Sequence, residues 1–178
     1  MKRFRLIAMF CLMALAVACL GPMTFDYLYN NEADFSKLKT YDWMPFPQDV
    51  PVREDVVQNV KSAANKQLEA KGFVQKSDQP DFLISMQGTR ETTTQVINWG
   101  EMYSRSQLHY YGLSSREVYT NIAGTLTLDI VDPTTKKMLW QGKASSALQP
   151  DPTPKDQEKM INRAIKGMLK NFPPEKKK

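Results

Sequence analysis

Residues 124–144 read GTLTLDIVDPTTKKMLWQGKA, and this run predicts a β-hairpin. Leu126, Leu128 and Ile130 alternate with polar residues, which is the period of a strand with one buried face. Asp132 and Pro133 then begin a turn. The run 138–144 returns as a second strand, so the hairpin supplies the centre of a sheet from which the rest of the fold can be built.

Two helices are predicted from apolar residues spaced three and four apart. One begins after Thr153 as the cap and Pro154 as the first helical residue. Its apolar face consists of Met160, Ile161, Ala164, Ile165, Met168, Leu169 and Phe172. Gly167 interrupts that helix at a cost of about 1 kcal/mol. The other helix is predicted over 52–71 and ends at Gly72, a typical residue for a helix C-terminus.

The remaining strands are predicted from shorter patterns. They cover 24–27, 40–44, 73–75 and a run from 82 that continues through 96, with a single turn between 33 and 39. Alternating strands leave one sheet face to be buried, and two amphipathic helices can bury it. We therefore expect an α+β fold: a two-layer sandwich in which both helices pack on one face of an antiparallel sheet.

Composition restricts the function classes. The chain has 178 residues, of which 42% are hydrophobic and 24% charged, as in one globular domain. Two Cys and one His are too few for a structural Cys/His zinc site, and no metal or cofactor site is predicted. The net charge of +5 lies at the two chain ends, which does not favour a nucleic-acid-binding face.

The N-terminal segment has the pattern of an export signal. Lys2, Arg3 and Arg5 precede an apolar run from 6 to 17, and that run is shorter than the roughly 20 residues of a permanent membrane span. We expect residues 1–18 to be a signal peptide.

The end of that signal, Leu15-Ala16-Val17-Ala18-Cys19, resembles a bacterial lipobox. The resemblance implies cleavage between Ala18 and Cys19 and acylation of the Cys19 thiol and amine. Leu20, by the sorting rule of that class, implies the outer membrane. We expect the anchored domain to face the periplasm. The alternative is an ordinary cut after Ala18 that leaves an unpaired Cys. The expected organisation is signal 1–18, lipidated tether 19–23, domain 24–174 and basic tail 175–178.

Three further stretches resemble a family of bacterial envelope lipoproteins catalogued as a domain of unknown function. They are ADFSKLKTYDW at 33–43, LEAKGF at 68–73 with PDFL at 80–83, and GTLTLDIVD at 124–132 with LWQGKA at 139–144 and FPP at 172–174. The resemblance implies one α+β domain of an exported lipoprotein. It implies no reaction, because the family brings no catalytic or ligand residues.

Residues that could carry catalysis are few. His109 is the only His, and the sequence contains no Gly-x-Ser-x-Gly turn to present a nucleophile. Asp129 and Asp132 lie near the hairpin turn, where a structural role explains them. Trp43 and Trp140 lie in strands beside aliphatic residues and are expected in the core. We therefore do not expect an enzyme.

The segment between 95 and 120 is unusually aromatic. Tyr, Trp, Met and Arg are enriched at interfaces, and they suggest an interaction surface made of Trp99, Tyr103, Arg105, His109, Tyr110 and Tyr111. The alternative is a long strand pair whose rings pack on the sheet. The resulting hypothesis is a lipid-anchored, non-catalytic module that binds an envelope protein or the cell wall. The second hypothesis is a carrier of a small apolar ligand in a cavity between helices and sheet.

Overall fold

In the part of the chain that the structure describes, six strands and two α-helices follow one another in the order that the sequence predicts. The computed structural model describes residues 22–46, 52–97 and 116–175. The strands are β1 (Met23–Tyr29), β2 (Thr40–Trp43), β3 (Val74–Gln75), β4 (Phe82–Ile97), β5 (Glu117–Val131) and β6 (Met138–Leu148). The α-helices are α1 (Glu54–Glu69) and α2 (Pro154–Leu169), and a 3-10 turn covers Phe35–Lys37. The expected α+β fold is confirmed.

The helix boundaries have the local causes that the sequence indicates. At the start of α2, the Thr153 hydroxyl accepts a hydrogen bond of 3.2 Å from the backbone N–H of Asp156, and Pro154 is the first helical residue. After α1, Gly72 adopts a φ of 88°, which glycine reaches without steric cost. The backbone N–H of Phe73 then donates to the carbonyl of Leu68, which turns the chain toward β3.

The six strands form one sheet in the order β1-β6-β5-β4-β2-β3. The expectation of an antiparallel sheet is wrong at one edge, because β2 runs parallel to both β3 and β4. The cause is the connection: α1 lies between β2 and β3 and carries the chain back along the sheet, so the next strand starts from the same end. The pairs β4–β5, β5–β6 and β1–β6 are antiparallel, as the sequence predicts.

One face of the sheet is apolar and joins both helices in a single core. The register places Ile84 opposite Ile130 and Ile130 opposite Trp140, so their side chains share that face. From α1 and α2 come Val60, Ala63, Ala64, Leu68, Ile161, Ala164, Ile165, Met168 and Leu169. No charged or polar residue is buried among the described residues, so the core rests on apolar burial.

The helical Gly167 is explained by the approach of β1 to α2. A Cβ at this position would lie 2.1 Å from Cζ of Phe25, so a larger residue would overlap the ring. The hydroxyl of Tyr27 donates a hydrogen bond of 2.8 Å to the Gly167 carbonyl. The glycine therefore lowers the propensity of the helix but allows an edge strand to pack closely against it.

Within the described ranges, two buried polar atoms lack a hydrogen-bond partner: the hydroxyl of Tyr41 and Nε1 of Trp140. Such atoms each cost on the order of 1–3 kcal/mol relative to a paired one. Burial, followed by the charges of Glu69 and Asp42, raises the pKa of Tyr41 to about 12. Both rings are fully buried. The free energy gained by burying two large aromatic side chains offsets the cost of the two unpaired polar atoms.

Candidate functional site

The site residues predicted from the sequence lie outside the described residues. These are Ala18 and Cys19 at the signal end, and Trp99, Tyr103, Arg105, His109, Tyr110 and Tyr111 in the aromatic segment. Their predicted roles stay predictions. The structure does describe the two strands that enter and leave the aromatic segment, β4 and β5, and these define a candidate interaction surface.

Strands β4 and β5 continue together past the end of the sheet. The last pair between β5 and β6 is Ile122 with Leu148, while β4 and β5 go on pairing to Ile97 and Glu117. On its other side, β4 pairs with β2 only over Phe82–Ile84. We call the residues 93–97 and 117–121 the arm: a two-stranded ribbon that, among the described strands, has no third strand beside it.

The described arm side chains are exposed, apart from the half-buried Ile97. Val96 and Val118 are directly opposite each other, with 48% and 61% of their surface exposed. Tyr119 on the other face is 46% exposed. Glu117 is the only charged residue in the arm sequence, so this is a charge-poor surface with apolar side chains, as protein interfaces tend to have at their centres.

The buried aromatic residues of the stretches that carried the family resemblance lie in the core. Phe172 lies at the centre of an aromatic cluster, with ring centroids 5.4 Å from Phe73, 5.6 Å from Phe82 and 5.3 Å from Trp140. Tyr41 stacks on Phe82 at 5.8 Å. The three sequence stretches therefore meet in one place, where these aromatic residues pack together. Trp140 is in the core, as expected.

A single carboxylate joins two of those stretches. Asp81 Oδ2 accepts hydrogen bonds from the backbone N–H groups of Lys39 and Thr40, at 2.9 and 2.8 Å, and from the Thr40 hydroxyl at 3.0 Å. The bonds from the backbone of Thr40 and Lys39 lower the pKa of Asp81 below its ordinary value. Asp81 thus fixes the start of β2 beside the start of β4.

The acidic pair near the hairpin turn has structural partners. Asp129 accepts hydrogen bonds from the side-chain amides of Gln141 at 2.6 Å and Gln87 at 3.4 Å. Asp132 accepts the backbone N–H groups of Thr135 and Thr134, which lower its pKa. Across the ranges that the structure describes, no three His, Cys, Asp or Glu side chains are grouped to hold a metal ion.

Sequence reasoning missed a polar groove between α1 and the parallel edge of the sheet. Asp42, Trp43, Asn65 and Gln75 line it. Trp43 was expected in the core; it packs against the core but is only half-buried, and its Nε1 donates to Asn65 Oδ1 at 2.9 Å. No local signal could have found this site, because its residues come from three elements that meet only through the sheet order.

None of the described helices is both long and apolar enough to cross a bilayer.

The chain is similar to a protein family and to solved structures over most of its length. A family model described as a domain of unknown function, DUF4136, matches residues 25–174. A PDZ domain protein from Parabacteroides distasonis has a similar structure, with a TM-score of 0.57 and 14% identity over 94% of this chain, which spans only 40% of that one. A dodecameric PelC variant from Paraburkholderia phytofirmans has a TM-score of 0.48 and 12% identity, covering 83% of this chain and 95% of that one. No curated protein matches the sequence.

Proposed function

The chain belongs to the DUF4136 family, and on that premise we propose that it is a lipid-anchored bacterial envelope protein whose arm binds a partner without catalysis. The partner class is another envelope protein or the cell wall. Residues 19–23 tether the domain to the outer membrane through Cys19, and the domain faces the periplasm. The helices form a second layer over one sheet face, since both join that face in one core.

The observation that carries the proposal is the exposure of the arm. A two-stranded ribbon alone is only marginally stable in water. This ribbon nevertheless presents Val96, Val118 and Tyr119 to solvent. Its two strands lead into a sequence segment that contains Trp99, Tyr103, Tyr110 and Tyr111. Among the described strands, none pairs with either edge of the arm, and a partner strand can align along an edge of this kind. A partner that covered the arm would bury its apolar side chains.

Carriage of a small apolar ligand is the alternative, and the structure favours it less. Buried side chains of both helices meet those of the sheet in a single cluster, so they occupy the place where such a ligand would lie. The clefts that the described residues form include the polar groove beside α1 and one lined by Tyr29, Phe35 and Pro174 at the opposite edge. Neither lies inside the core between the two helices and the sheet.

Crosslinking in intact cell envelopes tests the partner. We compare wild type with Trp99→Ala/Tyr110→Ala/Tyr111→Ala and with Val118→Ser. Val74→Ser is the matched control, because Val74 is 62% exposed on β3 and Val118 is 61% exposed. We expect crosslinked partners to be lost from the first two and retained in the control. Partner sets that are equal in all four proteins would contradict the role of the arm.

Palmitate labelling tests the anchor separately. The wild-type chain should carry label and sediment with membranes, and Cys19→Ser should do neither. Label that persists in Cys19→Ser, or a native protein with the mass of the bare polypeptide, would contradict the anchor. That result would leave the role of the arm open, since the two proposals rest on different parts of the chain.

A further inference from the structure

The polar groove beside α1 has the size of a small-molecule site. Its volume is about 650 Å³, within the range of roughly 300–1,000 Å³ that such sites have. One wall is a stripe of α1 side chains spaced three and four apart, from Gln58 to Glu69. The other wall is Asp42, Trp43 and Gln75. Polar side chains line it throughout, apart from the indole ring of Trp43.

A chain of hydrogen bonds fixes the polar groups across the groove. Trp43 Nε1 donates to Asn65 Oδ1 at 2.9 Å. Asn65 Nδ2 donates to Gln75 Oε1 at 3.1 Å, and Gln75 Nε2 donates to Asp42 Oδ1 at 3.1 Å. Each side-chain amide has two N–H groups and uses one of them in this chain. Both donors and acceptors therefore remain for a ligand, in positions that are set before it arrives.

The charges in the groove favour a neutral ligand. Burial alone would raise the pKa of Asp42, but hydrogen bonds from the Trp43 backbone, Gln75 and Ser77, together with the charge of Lys61, bring that pKa below its ordinary value. Asp42 is therefore an ionised acceptor at neutral pH. Asp42 and Glu69 carry two negative charges, and Lys61 and Lys66 carry two positive ones. The groove therefore has no net charge that would attract a phosphate or a polyamine.

The indole ring of Trp43 is covered by a weak contact. Lys61 Nζ lies 5.7 Å from the ring centroid, close to the outer limit of about 6 Å for a cation–π interaction. At a partly exposed site such a contact contributes on the order of 0.5–1 kcal/mol. The flexible lysine can therefore leave the ring when an apolar ligand surface takes its place.

We propose that this groove binds a neutral saccharide, whose C–H face replaces the Lys61 ammonium on the Trp43 ring and whose hydroxyls bond to Asn65, Gln75 and Asp42. A sugar ring is the ligand class that combines an apolar face with hydroxyls that both donate and accept. The site is independent of the arm. Its success or failure therefore does not decide the partner-binding proposal.

Saturation-transfer difference NMR on the full chain tests the site, with the neutral trisaccharides maltotriose, cellotriose and N,N′,N″-triacetylchitotriose as probes. We expect at least one trisaccharide to bind, and neither inorganic phosphate nor spermidine at the same concentration should displace it. Asn65→Ala should weaken binding about tenfold, the equivalent of one or two hydrogen bonds. Lys61→Ala should tighten binding about threefold, because the ring no longer has to be uncovered. Lys155→Ala, on the exposed side of α2, should leave binding unchanged.

Asn65→Ala should weaken binding and Lys61→Ala should tighten it. Because misfolding can only weaken binding, the second variant separates an effect on the site from misfolding. Asn65 also holds β3 to α1, so a thermal melt must show that Asn65→Ala is folded; if it is not, Lys61→Ala decides alone. The proposal is overturned if no trisaccharide binds at millimolar concentration, or if Asn65→Ala folds and binds as wild type does. Weaker or unchanged binding by Lys61→Ala would overturn the stacking on Trp43, on which the proposal depends.

Discussion

The inner and outer halves of the β4–β5 pair differ in what surrounds them. In the inner half, Ile84, Leu128 and Ile130 are almost fully buried, and β2 and β6 pair on either side. In the outer half, the arm has exposed side chains and no third strand among those described. We call the described sheet and helices outside the arm the body. The same two strands thus belong partly to the body, where packing fixes their side chains, and partly to a ribbon whose side chains are exposed.

The comparison predicts where substitutions matter. Free energy of unfolding should depend on the body, and partner binding should depend on the arm. The sheet order makes this separation possible, because β6 ends at Leu148 while its neighbour β5 continues outward. Each test below changes one of the two regions and measures whether the other responds.

Phe172→Ala should have the largest effect on stability. Phe172 is fully buried among the rings of Phe73, Phe82 and Trp140, and truncating such a ring costs about 3–5 kcal/mol. Urea unfolding of the full chain measures the loss, with Phe172→Leu as the milder control. A loss below about 1 kcal/mol would mean that the body does not depend on this cluster.

Gly167→Ala should destabilise, although alanine favours helices by about 1 kcal/mol. The new Cβ would meet the ring of Phe25, and overpacking of this kind costs about 1–3 kcal/mol. Gly88→Ala is the matched control, since no atom outside its chain neighbours lies within 4 Å of its added Cβ, and it should stabilise by up to about 1 kcal/mol. Thermal melts that show Gly167→Ala as stabilised would contradict the close approach of β1 to α2.

Tyr41→Phe should raise the free energy of unfolding by about 1 kcal/mol, because it removes a buried hydroxyl that has no partner. The pH dependence gives a second readout. The pKa of Tyr41 is about 12 in the folded state, above the ordinary value of 10.0. Between these two values the unfolded chain loses the phenol proton while the folded chain keeps it. The titration of this group therefore leaves the free energy of unfolding unchanged below pH 10 and lowers it as the pH rises toward 12. Urea unfolding at pH 8 and 10.5 should show a smaller decline in Tyr41→Phe than in wild type. An equal decline would exclude Tyr41 as its source.

Val118→Ser should have the smallest effect on stability, less than about 0.5 kcal/mol, as for other exposed positions. Val74→Ser, at the same exposure on β3, should behave alike. Chemical denaturation measures both. A loss above 1 kcal/mol for Val118→Ser alone would show that the arm contributes to the body, and the crosslinking difference between the two variants would then have a structural cause.

Local patterns were sufficient to predict much of the body. The sequence predicts the apolar spacing of α2 and its cap at Thr153, the end of α1 near Gly72, and the hairpin of β5 and β6. Each of these features depends on residues that are close together in the chain. The sequence does not predict the parallel pairing of β2, because that pairing depends on the end of the sheet to which α1 carries the chain. The reason for Gly167 was hidden in the same way, because Phe25 lies far away in sequence.

The candidate sites were less predictable for the same physical reason. The sequence indicated strands running toward the aromatic segment, but only the register between β5 and β6 shows that the arm extends past the sheet. The groove depends on Trp43, Asn65 and Gln75, which come from β2, α1 and β3. Pairing and hydrogen bonds between separate elements produce no periodic pattern in the sequence. The arm and the groove could therefore be located only from the fold.

Removal of the arm tests the division most directly. Thr92 and Ile122 are directly opposite each other, so an Asn-Gly turn can replace residues 93–121 and close the hairpin. We expect this variant to keep its free energy of unfolding within about 1 kcal/mol of wild type and to lose every crosslinked envelope partner. A variant that fails to fold, or one that folds and keeps its partners, would contradict the account.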